Sequence, residues 1–250
     1  MTIGVFDGVH LGHQKLIRRV TDHDAEESIV LTFRFNPRRF LKPHLFPGDI
    51  TSQRQKLDIL DGLGVSTVIL IDFSNDFSKL TGNEFLMKIR QSCNLTYLVL
   101  GDNFRCGFQG KTSAYDVRSI LNEHGVEVEI AQSLAYEGAT LSSTRIRAAL
   151  SEGDMAKAAL MMGRLYRLDI ADIPQQRGSR DRSIEKMALH QVIPPHGQYP
   201  VEIKTTASSF PAEIVIDQEC LRWKQDGGEE AVYIEFQETF SQETFSQETF

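Results

Sequence analysis

Cysteine is scarce in this 250-residue chain, with three thiols, Cys93, Cys106 and Cys220, odd in number and far apart. Such a set excludes a disulfide framework, offers no metal-ligand spacing and fits a reducing compartment. Long apolar runs are lacking too. Stretches such as Thr67–Ile71 fall far short of the roughly 20 residues that span a bilayer, so no membrane partner is expected. The first residues lack the charged start and apolar segment of a secretory signal, and the expected location is the cytoplasm. Basic residues are outnumbered, 27 Lys and Arg against 34 Asp and Glu, for a formal net charge of −7. An acidic total argues against nucleic acid as a partner. The deficit is local: residues 1–167 carry 20 basic against 19 acidic side chains, and residues 168–250 carry 7 against 15. A phosphate-rich small ligand needs only a few local cations and stays compatible with this balance.

What is present is ordered by region. Nearly continuous apolar runs at Met1–Phe6, Ile29–Phe33, Thr67–Ile71, Tyr97–Gly101 and Val126–Ala131 read as strands covered on both faces. Between them, Leu16/Ile17/Val20, Leu57/Leu60/Leu63, Phe85/Leu86/Ile89 and Val117/Ile120/Leu121 have helical spacing. Thr81–Glu84 reads as a capping box, and Gly64 and Gly125 stand where helices end in glycine. Strand–helix–strand units repeated in this way predict an α/β fold, a doubly wound, Rossmann-like parallel sheet that binds ligands beyond the carboxyl ends of its strands. A helical pair follows, Thr144–Ser151 capped by Ser142 or Ser143 and Met155–Met162 capped by Asp154, ending at Gly163.

After Tyr166 the texture changes. Ala171–Ile184 is polar and arginine-rich and reads as a mobile loop. Pro200–Lys204, Ala212–Ile216, Leu221–Lys224 and Ala231–Phe236 read as strands of a small antiparallel, barrel-like β-domain. From Gln237 a Gln-Glu-Thr-Phe-Ser unit repeats with a five-residue period that fits neither helix nor strand, and a disordered tail is expected. The expected division is therefore 1–167, 168–236 and 237–250.

Two motifs carry chemistry. In Gly4-Val5-Phe6-Asp7-Gly8-Val9-His10-Leu11-Gly12-His13, a strand end leads into a helix, and His10 and His13, three apart, share one side of its first turn. Gly12 leaves room for a phosphate at the backbone, and the helix start adds N–H donors and a positive dipole end. Two imidazoles there suit the charge that builds on a triphosphate under attack. A chance His-x-Gly-His is expected roughly 0.014 times in a chain of this composition. With no cysteine or third histidine nearby, the pair gives no metal site. The second motif, Ser142-Ser143-Thr144-Arg145-Ile146-Arg147, sets hydroxyls and guanidinium groups around another helix start, the makings of a phosphate clamp.

These residues resemble the nucleotidyltransferase superfamily that carries His-x-Gly-His and a later S-S-T-x-x-R motif, and within it the bacterial bifunctional riboflavin kinase/FMN adenylyltransferases, or FAD synthetases. The stretch G-x-F-D-G-x-H-x-G-H is matched throughout by Gly4–His13. Thr32-Phe33…Pro37-Arg38, Gly101-Asp102-Asn103-Phe104, Ser142–Arg147 and Gly163-Arg164-Leu165-Tyr166 match in the same order, so the resemblance covers about residues 1–167.

The resemblance implies transfer of AMP from ATP to FMN, with ATP and FMN as substrates and Mg²⁺ on the phosphates. It implies His10, His13 and Arg145 in catalysis. Gly4, Phe6, Gly8, Gly12, Asn103, Ser142, Ser143, Thr144 and Arg147 would line the ATP site, and Phe33, Asn36, Pro37 and Arg38 the flavin site. The family's T-F-x-P-H-P-R loop here has Phe35 for its first proline and Asn36 for its histidine, and Cys106 stands where an aromatic is usual. The kinase's P-T-A-N segment has no counterpart after Tyr166, which implies a degenerate barrel without kinase activity. Two other readings stay open: a nucleotidyltransferase for another phosphate-bearing acceptor, and a non-catalytic flavin- or nucleotide-binding protein.

Overall fold

The computed structural model describes residues 1–24, 26–178, 180–225 and 228–237. The repeats expected to form a tail lie, from Glu238 on, outside the described residues. The chain divides into two compact units. One comprises Met1–Phe46 and Gln53–Ser142, and the other comprises Pro47–Ser52 and the chain from Ser143 onward.

The first unit runs β1 (Thr2–Ile3), α1 (Leu11–Thr21), β2 (Ile29–Phe33), α2 (Pro37–Leu41), α3 (Gln53–Gly62), β3 (Thr67–Ile71), α4 (Asn75–Lys79), α5 (Gly82–Ser92) and β4 (Tyr97–Gly101). It continues through the hairpin β5 (Arg105–Cys106)–β6 (Thr112–Ser113), α6 (Ala114–Asn122), β7 (Glu127–Ala131) and the hairpin β8 (Ala135–Tyr136)–β9 (Ala139–Thr140). Its sheet has the order β3-β2-β1-β4-β7, with every neighbouring pair parallel.

Neighbouring residues of one strand serve opposite faces, as a period of two requires. Ile3, Leu31, Leu98 and Leu100 pack with Phe85, Leu86, Ile89, Val117 and Leu121 of α5 and α6. Val30 packs with Ile17 and Leu60 of α1 and α3, and Val99 and Ala131 with Val20. The sheet is thus covered on both sides, which explains the unbroken apolar runs. Thr81 and Glu84 form the expected capping box, and Gly64 and Gly125 follow their helices with φ of +81° and +75°.

Two local features depart from the expected ones. The first strand ends at Ile3 rather than Phe6, because Phe6 turns to φ 48° and drives its ring into the core, where it is 2% exposed. Helices α2 and α4 are five residues each, too short to show an apolar period.

The second unit holds α7 (Ser143–Glu152), α8 (Met155–Met162), β10 (Arg167–Asp169), β11 (Gln176–Arg177), β12 (Asp181–Glu185), β13 (Gly197–Lys204), β14 (Ser209–Ile216), β15 (Cys220–Lys224) and β16 (Tyr233–Phe236). Its strands form one antiparallel sheet in the order β10-β16-β13-β14-β15-β12-β11, a curled barrel-like layer. Asp154 caps α8 by accepting from the Lys157 amide at 2.9 Å, and Gly163 closes it at φ +70°.

The reading of Ala171–Ile184 as a mobile loop is corrected: it contains β11 and most of β12, paired with β15 from Asp181 to Glu185. The strand hid because one of its two inward residues is an arginine, Arg182, buried beside Ile184. Pro47–Ser52 joins this unit through a parallel bridge between Asp49 and Gln191. Gly48 is required there, with φ +128° and room for a Cβ only 2.7 Å from the Gln191 carbonyl carbon.

Candidate active site

The β1–α1 loop is shaped by three residues with positive φ. Phe6, Gly8 and Val9 have φ of 48°, 81° and 33°, a left-handed turn that a β-branched valine adopts only under compulsion. The Val5 carbonyl accepts the Thr32 hydroxyl at 3.0 Å, and the Val9 carbonyl accepts the Gln14 side-chain amide at 2.9 Å. A Cβ at Gly4 would lie 2.9 Å from the Phe6 ring, so that glycine admits the buried phenylalanine.

His10 ends this loop as the N-cap of α1. Its Nδ1 accepts the His13 amide N–H at 3.3 Å, a role usually given to a carboxylate or hydroxyl oxygen. The cap places the proton of the neutral ring on Nε2, since the other nitrogen is the acceptor. The His13 ring stacks on His10, centroids 3.6 Å apart and planes 18° from parallel, and meets the Phe6 edge at 5.2 Å. His10 is buried and His13 half-buried. A Cβ at Gly12 would sit 3.2 Å from the His10 ring, so Gly12 makes room for the imidazole.

The residues expected at an acceptor site follow the next strand. Phe33 closes β2, and Asn36 caps α2 by accepting the Arg38 amide at 3.1 Å. The Asn36 amide also donates to Asp7 Oδ2 at 3.2 Å, both side chains being buried. Pro37 is the first residue of α2 and Arg38 is exposed. Around them stands an aromatic cluster, Phe33, Phe40, Phe73 and Phe77, with centroids 5.7–5.9 Å apart. Sequence reasoning missed Lys56 of α3. It is buried and donates to the Phe33 carbonyl at 2.8 Å and the Thr32 hydroxyl at 3.5 Å. Its place one helical turn before the buried Leu60 was the signal it offered.

Asn103 lies exposed just beyond β4. Beside it, the Ser133 hydroxyl and amide hydrogen-bond to Asp102 and hold its carboxyl below the ordinary range. Burial pushes the Cys106 thiol up to about 11, with Asp116 adding to the rise. The structure therefore brings the carboxyl ends of β1, β2 and β4, adjacent in the sheet, to carry Gly4–His13, Phe33–Arg38 and Asn103. Strand order reverses between β1 and β4, the place where such sheets take ligands.

The later motif begins the second unit. Ser143 is the first residue of α7, Ser142 precedes it, Thr144 is exposed and Arg145 half-buried. Arg147 is buried. It donates to the Gly48 carbonyl at 2.9 Å and the Ser143 carbonyl at 3.4 Å, which ties Pro47–Ser52 to α7. Arg164 donates to the Met162 carbonyl at 3.2 Å. Burial, with Arg167 nearby, lowers its guanidinium to about 10.

A family model described as FAD synthetase matches residues 1–145, from the strand before the paired histidines to the arginine of the second motif. The chain belongs to the FAD synthetase family. It is 31% identical over 170 residues to a bifunctional riboflavin kinase/FMN adenylyltransferase of Buchnera aphidicola subsp. Acyrthosiphon pisum (strain APS), covering 66% of this chain and 54% of that protein. With the protein of the same description from Pseudomonas fluorescens it shares 29% identity over 219 residues, 84% of this chain and 70% of the other. The chain thus spans about half the Buchnera relative. A crystal structure from Streptococcus pneumoniae, described as a macrolide-efflux protein, superposes with a TM-score of 0.79 at 25% identity, over 94% of this chain and 83% of that one.

Within this FAD synthetase fold, the paired imidazoles are fixed by contacts of the protein's own. The cap, the stack and the Phe6 edge restrict both rings. Among the described residues, no helix is long and apolar enough to cross a membrane.

Proposed function

We propose that this protein is an FMN adenylyltransferase without riboflavin kinase activity. A phosphate oxygen of FMN attacks the α-phosphorus of ATP. The new O–Pα bond forms as the bond from Pα to the bridging oxygen breaks, and pyrophosphate leaves. The FMN phosphate monoester has a second pKa near 6, so it is already anionic near pH 7 and no side chain needs to take a proton from it. The work is in-line positioning and charge neutralisation.

The observation that carries this reading is the capped and stacked pair His10–His13 at the start of α1. In it, His10 and His13 donate to ATP phosphate oxygens, while Arg145, Ser143 and Thr144 hold the triphosphate and the leaving pyrophosphate. Gly4, Phe6, Gly8, Gly12, Asn103, Ser142 and Arg147 shape the nucleotide site. Phe33, Asn36, Pro37 and Arg38 form the flavin side. Among the described residues no group of three or more His, Cys, Asp or Glu could hold a metal. Mg²⁺ enters with the nucleotide substrate, on phosphate oxygens and water. Residues 168–236 serve as a degenerate kinase barrel, because no P-T-A-N segment stands between Tyr166 and Val192.

Incubation with ATP and Mg²⁺, and with either FMN or riboflavin, tests the reading through pyrophosphate release and flavin fluorescence. FMN-dependent pyrophosphate with quenching as FAD forms is expected, with no FMN made from riboflavin. Pyrophosphate only with another phosphate-bearing acceptor moves the chain to a different transferase specificity. Binding without turnover ends the enzymatic assignment.

A further inference from the structure

Two peptide planes flank the Cα of His10, and Gln14 binds the carbonyl of each. Its side-chain amide donates to the Val9 carbonyl at 2.9 Å, and its backbone amide donates to the His10 carbonyl at 2.9 Å. A peptide unit is planar, so the direction of its carbonyl fixes the plane of the whole unit. One residue of α1 thus orients both Val9–His10 and His10–Leu11. Between those planes the His10 backbone has φ −70° and ψ 171°, which sets the direction of its Cβ and the aim of its ring.

The backbone bond is ordinary for a helix start, and the side-chain bond is not. Helical side chains lean towards the N-terminus, and glutamine is long enough for its amide to reach back to Val9. The carbonyl it meets belongs to a strained residue. Val9 has φ 33°, which a β-branched side chain adopts only where its surroundings impose it. Its side chain is buried among Phe6, Ile17, Val30 and Leu60, and its amide donates to the Phe6 carbonyl at 3.3 Å. The earlier part of the loop has anchors of its own, the Gly4 amide on the Leu31 carbonyl and the Thr32 hydroxyl on Val5. Gln14 acts on the later part, where the turn delivers the imidazole.

We propose that Gln14 is a positioning residue for the histidine pair: its side-chain amide holds the Val9–His10 peptide, and so the His10 ring, in the orientation that donates to the nucleotide phosphates. The proposal deepens the adenylyltransferase reading and rests on it.

Gln14→Met keeps the length and helix propensity of the side chain and removes the donor. Steady-state pyrophosphate release is measured with FMN and with ATP as the varied substrate, in the wild-type background and in His10→Asn. Exchange rates of the His13, Ile17 and Val20 amides are measured without substrate. Gln14→Met is expected to lower kcat by about tenfold while both KM values stay within about twofold, the mark of a contribution made in the transition state. Because Gln14 acts through His10, the same substitution in His10→Asn is expected to change kcat by less than about twofold. The His13 amide, which the His10 ring accepts at 3.3 Å, is expected to exchange about fivefold faster in Gln14→Met, with Ile17 and Val20 unchanged.

An unchanged kcat in Gln14→Met overturns the proposal, as does a full tenfold loss on top of His10→Asn. Equal quickening at His13, Ile17 and Val20 also overturns it, since that marks a general loosening of α1. If the wild-type protein releases no FMN-dependent pyrophosphate, the functional reading falls. Gln14 is then judged on exchange alone, where an unchanged His13 amide in Gln14→Met overturns its role.

Discussion

The imidazole of His10 does two things to His13: it accepts the His13 amide N–H at 3.3 Å and it stacks on the His13 ring at 3.6 Å. Truncation to alanine therefore separates fold from chemistry at His13 and not at His10. His13→Ala removes a ring but no cap. It is expected to lower kcat/KM by about 10²-fold or more, the scale of one lost preorganised donor. Stability should fall by no more than about 1.5 kcal/mol, the worth of the ring contacts. His10→Asn keeps an oxygen acceptor at the N-cap, so its melting temperature should hold while activity falls similarly. His10→Ala should lose both, with about 1 kcal/mol going to the missing cap. Near-normal turnover in His13→Ala would remove the pair from the mechanism.

Gly12 separates activity from stability in the opposite sense. An alanine Cβ would stand 3.2 Å from the His10 ring, so the imidazole must shift by a few tenths of an ångström. Alanine inside a helix otherwise gains roughly 0.5–1 kcal/mol over glycine. Gly12→Ala is expected to lower kcat/KM by about tenfold or more with an unchanged or raised melting temperature. A variant with full activity would show that the ring's placement is not critical.

Cys106 should be the slow thiol. Burial raises it to about 11 from an ordinary value of 9.0, so little thiolate exists near neutral pH. Alkylation followed by peptide mapping at pH 8 should label Cys220 well before Cys106. The sign for stability follows from the raised value. The native thiol stays protonated while the unfolded one ionises, so this contribution is intact below pH 9 and is lost as pH climbs towards 11. Rapid labelling of Cys106 in the folded protein would contradict its burial.

Much of this was legible from residue order. The parallel sheet showed itself because strands covered on both faces must be apolar throughout, as Val30 and Leu31 illustrate by serving opposite faces. His10 and His13 showed themselves by spacing and by their place at a strand end. The His10 cap did not, because histidine is an uncommon N-cap residue and its use of Nδ1 depends on ring orientation. Nor did the Asn36–Asp7 bridge, a contact across 29 residues. The inclusion of Pro47–Ser52 in the second unit rests on backbone contacts with residues near 191, and backbone pairing of that range leaves no mark on side-chain pattern. Strand β12 was missed because a buried arginine looks like a surface one in sequence.

Glu235 should make the second unit sensitive to acid. Burial alone would raise its carboxyl, but the Lys204 and Arg167 hydrogen bonds outweigh that and hold it below the ordinary 4.5. The distances are 2.8 Å to Lys204 Nζ and 2.5 Å to Arg167 Nη2. A depressed carboxylate contributes stability above its unfolded value, and the contribution is lost as pH falls through the native one. Amide exchange in β10, β13 and β16 should therefore accelerate as the pH falls below the ordinary carboxylate range. Glu235→Gln should remove most of that dependence and cost about 1–2 kcal/mol at pH 7, discounted because Arg167 and Lys204 reach solvent. An unchanged acid profile in the variant would place the titration elsewhere.

Gln191 is the residue on which Pro47–Ser52 most depends. It is 5% exposed. Its Nε2 donates to the carbonyls of Ile50 and Arg167, each at 3.0 Å, and its Oε1 accepts the Asp169 amide at 2.7 Å. One side chain thus satisfies three backbone groups drawn from two separate segments. On either side of it the Asp49 amide donates to the His190 carbonyl and the Val192 amide to the Asp49 carbonyl, both at 2.9 Å. Gln191→Ala strands those three groups, and each stranded buried group costs about 1–3 kcal/mol unless water reaches it. A loss of about 3 kcal/mol is expected, enough to lower the melting transition of the 250-residue chain by about 6–12 °C. Gln191→Glu is the sharper test. It keeps the size and the acceptor, but it turns a carboxylate towards two carbonyl oxygens, so at pH 7 it should cost at least as much as the alanine variant. Exchange at the Asp49 and Val192 amides localises the effect, because both bonds flank Gln191 and should open with it. If both variants melt within about 1 kcal/mol of the wild type with those amides still protected, the segment is held by Gly48 and Arg147 instead.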